Sequence, residues 1–269
     1  MNEVRIPEKI DQEVAYLCGM ICGDGHLCIR PKKHEYSVYI TGNLENEREF
    51  YEDILRPMFI KLFGIEPKVK ISKRDNSVNL IIYSKSIVNF FSEKCGIPLG
   101  KKEHLVRIPD FFRGTNLSRN FLQGFADADL GLCLKRRYRE VPYYPVIGGS
   151  SKSKQIILDV SDVLRGLGIT FSLSLDDVVY DYRFGKETTR NMINIYGRKN
   201  VFLWMKFIGY RNPKYLKIFD KIKNIAGVRF ELTTFTPRRE ARPGVPETTY
   251  EPDEQTVAIG PLQAALPRY

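Results

Sequence analysis

Long apolar runs are missing from this 269-residue chain. The longest, from about Val14 to Gly23, falls short of the roughly 20 residues a bilayer-spanning helix needs, so no membrane partner is expected. No positively charged leader with a cleavage site opens the chain, which argues against secretion. Cysteine is scarce: Cys18, Cys22, Cys28, Cys95 and Cys133 form no CxxC pair. Such an odd, scattered set reads as free thiols in a reducing compartment, acting as small buried apolar side chains. The three histidines stand at no zinc-finger spacing from them, and none is placed as a general base. What is present is a 43% hydrophobic fraction, enough for a real core, and a net charge of +10. These fit an intracellular protein (cytoplasm or nucleoid of a prokaryote, or an organelle matrix) with an acidic partner, most simply nucleic acid.

Periodicity predicts an α+β chain built from one pattern used twice. In the first copy a helix over Asp11–Gly23 precedes strands His26–Arg30 and Tyr36–Thr41. A charged helix, Glu45–Phe63, stops at Gly64. Strands Lys68–Lys73 and Val78–Tyr83 then lead to a helix over Lys85–Cys95. The second copy has a helix over Ser118–Asp127, strands Leu132–Arg137 and Tyr144–Ile147, and a helix Lys152–Leu167 stopped at Gly168. Strands Ile169–Leu175 and Asn191–Tyr196 flank a long loop, Asp176–Arg190, before helices Lys199–Ile208 and Pro213–Ile225. The segments LCGMICGDG (Leu17–Gly25) and LQGFADADL (Leu122–Leu130) lie 105 residues apart, and Gly64-Ile65 and Gly168-Ile169 lie 104 apart. Matches at such similar offsets argue for duplication. The expected organisation is a repeat over residues 1–112, a second over 113–227 and a proline-rich, loosely packed tail over 228–269.

Both copies open on a helix with small residues four apart, Gly19 and Gly23, then Gly124 and Ala128. Residues at i and i+4 share a helix face, so two such strips let helix backbones approach closely. Glycine inside a helix costs about 1 kcal/mol against alanine, so a packing or functional reason is expected. Each strip leads to an aspartate, Asp24 and Asp129, near a helix C-terminus, where the helix dipole repels a carboxylate. Paired helices would also set the two carboxylates against each other. A hard divalent cation reverses both penalties and takes carboxylate, phosphate and water oxygens.

The two segments resemble the signature motifs of the LAGLIDADG homing endonucleases in their single-chain, two-repeat form. The resemblance covers roughly residues 11–227. It implies two tandem pseudo-symmetric αββαββα repeats with saddle-like antiparallel sheets over the DNA major groove, joined at a paired-helix interface. It implies a monomer that makes a metal-dependent double-strand break in double-stranded DNA at a long recognition site, usually at an intron-free allele. Asp24 and Asp129 would hold Mg2+, or another divalent cation such as Mn2+, assisted by the backbone carbonyls of Gly23 and Ala128. Leu130 departs from the motif, which carries glycine there. If that position needs a left-handed backbone, Leu130 costs about 1–2 kcal/mol and Gly131 has to take over. Asp127 should point away from Asp129 and serve as an interhelical or surface hydrogen-bonding group.

Phosphodiester cleavage also benefits from basic groups near the developing charge. Lys101 and Lys102 in GIPLGKKEHLVRIP, and Lys214 in YRNPKYLKI, are the candidates. Strand alternation puts Lys68, Lys70 and Ser72 on one face, and Lys135, Arg137 and Arg139 on another. With Arg30, Ser37, Tyr39, Thr41, Thr170, Ser172 and Ser174 they form the expected DNA-reading surface. His26 either touches DNA or packs on the sheet. One rival reading is an intron-RNA splicing maturase or a catalytically weakened binding derivative. Another is a regulator on this scaffold, for which there is no room for a helix-turn-helix domain. An intein is disfavoured by the opening Met1-Asn2-Glu3. The segment Gly227–Pro237 looks like a translated T-arm of a transfer RNA gene, as if an intron frame ran into its host gene. Charge is uneven: residues 1–112 hold 17 basic and 16 acidic groups, residues 113–227 hold 20 and 10.

Overall fold

The computed structural model describes residues 4–138, 140–182 and 185–226. The proposed tail, the T-arm-like segment and Arg139 lie outside the described residues. Helix α1 (Gln12–Cys22) starts where Asp11 accepts a hydrogen bond from the Val14 amide at 2.9 Å, a standard side-chain N-cap. Every α1 residue from Val14 to Cys22 is buried, so the helix is enclosed on all sides. Strands β1 (Gly25–Arg30) and β2 (Glu35–Asn43) follow. Helix α2 (Leu44–Phe50) passes through a π-helical turn, Tyr51–Leu55, into α3 (Arg56–Phe63). Gly64, at φ 66°, ends it as expected. Strands β3 (Lys68–Ser72) and β4 (Ser77–Tyr83) complete an antiparallel sheet of order β1-β2-β4-β3, before helix α4 (Lys85–Asn89).

The second repeat runs α5 (Asn116–Asp129), β5 (Gly131–Lys135), β6 (Tyr144–Ser151), α6 (Lys154–Gly166), β7 (Ser172–Asp181), β8 (Lys186–Tyr196), α7 (Arg198–Phe207) and α8 (Pro213–Ala226). Its sheet has the equivalent order, β5-β6-β8-β7. The segment between the repeats buries Ile97, Val106, Ile108 and Phe112 in the common core and is not a free linker.

The expected loop Asp176–Arg190 is a correction: it is mostly strand, paired from Asp177↔Arg190 to Asp181↔Lys186. A bulge between Ser174 and Asp177, with Asp176 at φ 58°, separates this ribbon from the sheet. Val178, Tyr180 and Tyr182 are exposed on it, so no buried face imposes the alternation by which a strand is read from sequence.

The paired helices meet as the small-residue strips require. A β-carbon on Gly19 would fall 2.0 Å from the Phe121 carbonyl oxygen, and one on Gly124 would fall 1.9 Å from that of Tyr16. Leu130 adopts φ −113° and ψ 85°, and Gly25, its counterpart, has no positive φ. The expected left-handed turn is therefore absent from both repeats, and Leu130 carries no such strain. What glycine provides in the first repeat is room: a β-carbon on Gly25 would sit 2.7 Å from the Ile21 Cα. Gly25 faces Ile40 across the strands, whereas in the second repeat Leu130 is large and Gly149 small. A β-carbon on Gly149 would strike the Leu130 side chain at 2.7 Å. Large and small have changed places between the two copies.

Candidate active site

The ends of α1 and α5 bring Gly23, Asp24, Ala128 and Asp129 together. A β-carbon on Gly23 would lie 2.3 Å from the Ala128 Cβ and 3.4 Å from an Asp129 carboxylate oxygen. The Asp24 carbonyl accepts from the Thr41 amide at 3.1 Å, tying the helix end to β2. Burial pushes the Asp24 carboxyl up to about 7, aided by the charges of Asp129 and Glu47 and opposed by Lys214 and Lys102. Burial likewise pushes Asp129 up to about 6, with Lys102 opposing. Two carboxylates held this way form a site short of positive charge.

Lys102 and Lys214 both reach this region. The Lys102 ammonium donates to the carbonyls of Ile21, Cys22 and Gly23, the last at 2.7 Å. It thus caps the negative end of α1 with a cation. Burial lowers its pKa, while Cys22, Asp129 and Asp24 counter that. Lys214 Nζ donates to Glu47 at 2.6 Å. Burial works against its ammonium, yet Tyr215 and Glu47 hold its pKa above the usual lysine value. Lys101 is exposed and takes no part in these contacts.

Glu47 was missed by sequence reasoning. It lies in the first turn of α2, is only 5% exposed, and also accepts from the Asn43 amide at 2.8 Å and from Asn212 Nδ2 at 2.9 Å. Nothing local marks it, since its burial depends on α8, more than 160 residues away in the chain. Asp127 does point away from Asp129. It is buried and interhelical, accepting from Tyr16 Oη at 2.6 Å and from the amides of Arg211 (2.9 Å) and Asn212 (3.0 Å). Asn212 in turn accepts from the Lys214 amide at 3.1 Å, so Asp127 fixes the start of α8 and through it Lys214.

The predicted DNA-facing residues are placed unequally. Cross-strand register puts His26, Tyr39, Thr41, Lys68, Lys70 and Ser72 on the outer face of the first sheet. The Tyr39 ring stacks on His26 at 4.9 Å, and its hydroxyl lies 3.3 Å from that of Tyr83. Thr41 donates to Asn79, and Ser72 to Asp75. Arg30 pairs with Glu35 at 3.1 Å. Ser37 is a correction: it shares that face but is fully buried in mid-sheet, where its hydroxyl donates to Glu35 at 3.3 Å and is not exposed to DNA. In the second sheet Lys135 and Ser172 are exposed, while Ser174 donates to Asp177 at 2.5 Å. Arg137 falls beyond the end of β5, so the expected alternation does not reach it, and it rests 4.7 Å over the Tyr144 ring. Thr170 precedes β7 and accepts from Asn200 instead. Cys133 is exposed and Cys28 half-buried, correcting the reading of all five cysteines as buried.

No family model matches the chain. The chain is 28% identical over 191 residues, 70% of its length, to a DNA polymerase of Thermococcus aggregans. It is 31% identical over 108 residues, 40% of its length, to an A-type ATP synthase subunit of Pyrococcus abyssi. The match covers 9% of each of these relatives, so the chain corresponds to a small part of much longer proteins. Among solved structures, I-DmoI in complex with DNA and Ca matches with a TM-score of 0.55 and 20% identity, over 80% of this chain and all of that one. An I-DmoI variant bound to its nicked target DNA in the presence of Mn matches with a TM-score of 0.50 and 22% identity, over 75% and 97%. The architecture is a two-repeat α+β fold with two antiparallel sheets joined through paired helices. That fold is the LAGLIDADG homing endonuclease fold.

Proposed function

We propose that this chain is a DNA endonuclease that cuts both strands of a long, specific duplex site with the help of a divalent cation. The single observation carrying this reading is the meeting of Asp24 and Asp129 at the ends of two glycine-packed helices, each carboxyl raised by burial, with a lysine reaching in from either repeat. A hard cation suits that donor set. Asp24 and Asp129 would hold it, with the Gly23 and Ala128 carbonyls adjacent; the Gly23 oxygen must then be shared with or released by Lys102. The cation supplies Lewis-acid stabilisation of charge on the scissile phosphate. Lys102 and Lys214 add positive charge on either side, and Glu47 and Asp127 hold Lys214 in place. The outer sheet faces bear the lysines that attract the backbone, and the excess of 10 positive charges in the second repeat gives that half the stronger phosphate attraction. Mg2+ is the expected ion, and the protein is expected to act as a monomer.

The test is incubation of the full chain with plasmid carrying the joined exons that flank its gene, in Mg2+ or EDTA. Specific double-strand breaks that vanish with EDTA and in Asp24→Asn and Asp129→Asn support the reading. Intact plasmid with tight binding to intron RNA would overturn it in favour of a maturase.

A further inference from the structure

The two sheets can be laid over each other row by row. In the first, Cys28 of β1 and Tyr83 of β4 stand in line through Ser37 of β2. In the second, Cys133 of β5 and Tyr196 of β8 stand in line through Val146 of β6. The central residue is buried in both rows, and the tyrosines are 51% and 42% exposed. Cys28 and Cys133 also lie 105 residues apart, the same offset as the helix motifs. Two strand spacings separate each thiol from its tyrosine by about 10 Å, close to the width of a major groove of about 12 Å. The two halves thus carry the same edge groups in the same register.

The next row toward the aspartates differs. In the first sheet it presents the stacked rings of His26 and Tyr39. In the second, Gly131 faces Gly148, and the side chains of the row are those of Asn194 and the exposed Ser172 instead. The Asn194 side chain lies over Gly148, where a β-carbon would meet its oxygen at 2.4 Å.

We propose that the DNA target carries the same base pair at the two positions facing the cysteine–tyrosine rows, while the next position inward carries a different pair in each half, read through His26 and Tyr39 in the first repeat and through Asn194 in the second. The inference rests on the endonuclease reading and adds a pattern of symmetry to its substrate. Identical side chains in identical register present the same thiol and phenol across the groove, so they select the same pair. The glycine pair offers none, so in the second half Asn194 and Ser172, next along that row, present different groups, and a different pair is selected there.

The experiment is binding selection by the full chain from a duplex library of random sequence, followed by sequencing of the retained DNA. Enrichment of a site with one dyad-related identical pair, flanked inward by positions that carry different pairs in the two halves, is the expected result. Tyr39→Ala should relax the inner position of the first half about 10-fold and Asn194→Ala that of the second, each leaving the other unchanged, with thermal stability measured alongside to exclude misfolding. The same pair at the inner position of both halves, or different pairs opposite the two cysteine–tyrosine rows, would overturn the proposal while leaving DNA binding intact. Retention of no sequence above the input would instead overturn the endonuclease reading, and this inference with it.

Discussion

Asp24 and Asp129 are carboxyls whose surroundings favour the protonated form, which gives them a definite effect on stability. An unfolded aspartate titrates near 3.9, whereas the folded chain holds Asp24 near 7 and Asp129 near 6. Between pH 4 and 7 the folded state binds more protons than the unfolded one, so stability falls as pH rises through that window. Thermal melts in EDTA should show this decline, on the order of a few kcal/mol across the window, and Asp24→Asn should flatten it. Added Mg2+ should restore stability most above pH 7, where the carboxylates are ionised. An EDTA-form melting temperature that rises from pH 5 to 8 would contradict the placement of these groups. Lys102 makes a separate contribution through three helix-end carbonyls. Lys102→Met should destabilise the fold by about 1–3 kcal/mol in urea denaturation, from lost charged hydrogen bonds and an uncapped helix end.

At the scale of elements, the α1–α5 contact should be the least forgiving place in the molecule. Alanine at Gly19 or Gly124 drives a β-carbon into opposing backbone, which cannot swing aside as a side chain can. Each substitution should cost about 3 kcal/mol or more, at the upper end of overpacking penalties. Gly166, at the end of α6, has nothing within 4 Å of an added β-carbon. Gly166→Ala should be neutral or gain up to about 1 kcal/mol from helix propensity, and denaturation of the three variants side by side checks the contrast. Much of this level was legible in the sequence. The small-residue strips, the Gly64 stop and the duplication depend on local spacing, and local spacing survives folding. The β7–β8 ribbon was not legible because both its faces are open. Glu47 and the burial of Ser37 depend on neighbours remote in the chain or across the sheet, which composition and periodicity do not report. Leu130 looked out of place only while the motif glycine was assigned a backbone role instead of a spatial one.

For the whole molecule, the uneven charge leads to a measurable asymmetry. Duplex affinity should fall steeply with salt, and a substitution that removes one phosphate-contacting cation should reduce the log–log slope by about 1. Exposed cations of the second repeat such as Lys135 should show this most fully. In the first repeat Arg30 is already engaged by Glu35, and its removal should change the slope less. Fluorescence anisotropy across a salt series separates the two, and equal slope changes would refute the difference.

The exchange of bulk between Gly25–Ile40 and Leu130–Gly149 also limits how the gene can be reshuffled. A hybrid that inherits its motif helix and first strand from one copy and its second strand from the other would set Gly25 opposite Gly149, or Leu130 opposite Ile40. The first pairing opens a void and the second a collision, directly behind an aspartate. Whole repeats can be traded or doubled, but a crossover inside this unit breaks both descendants, so the two halves diverge as blocks.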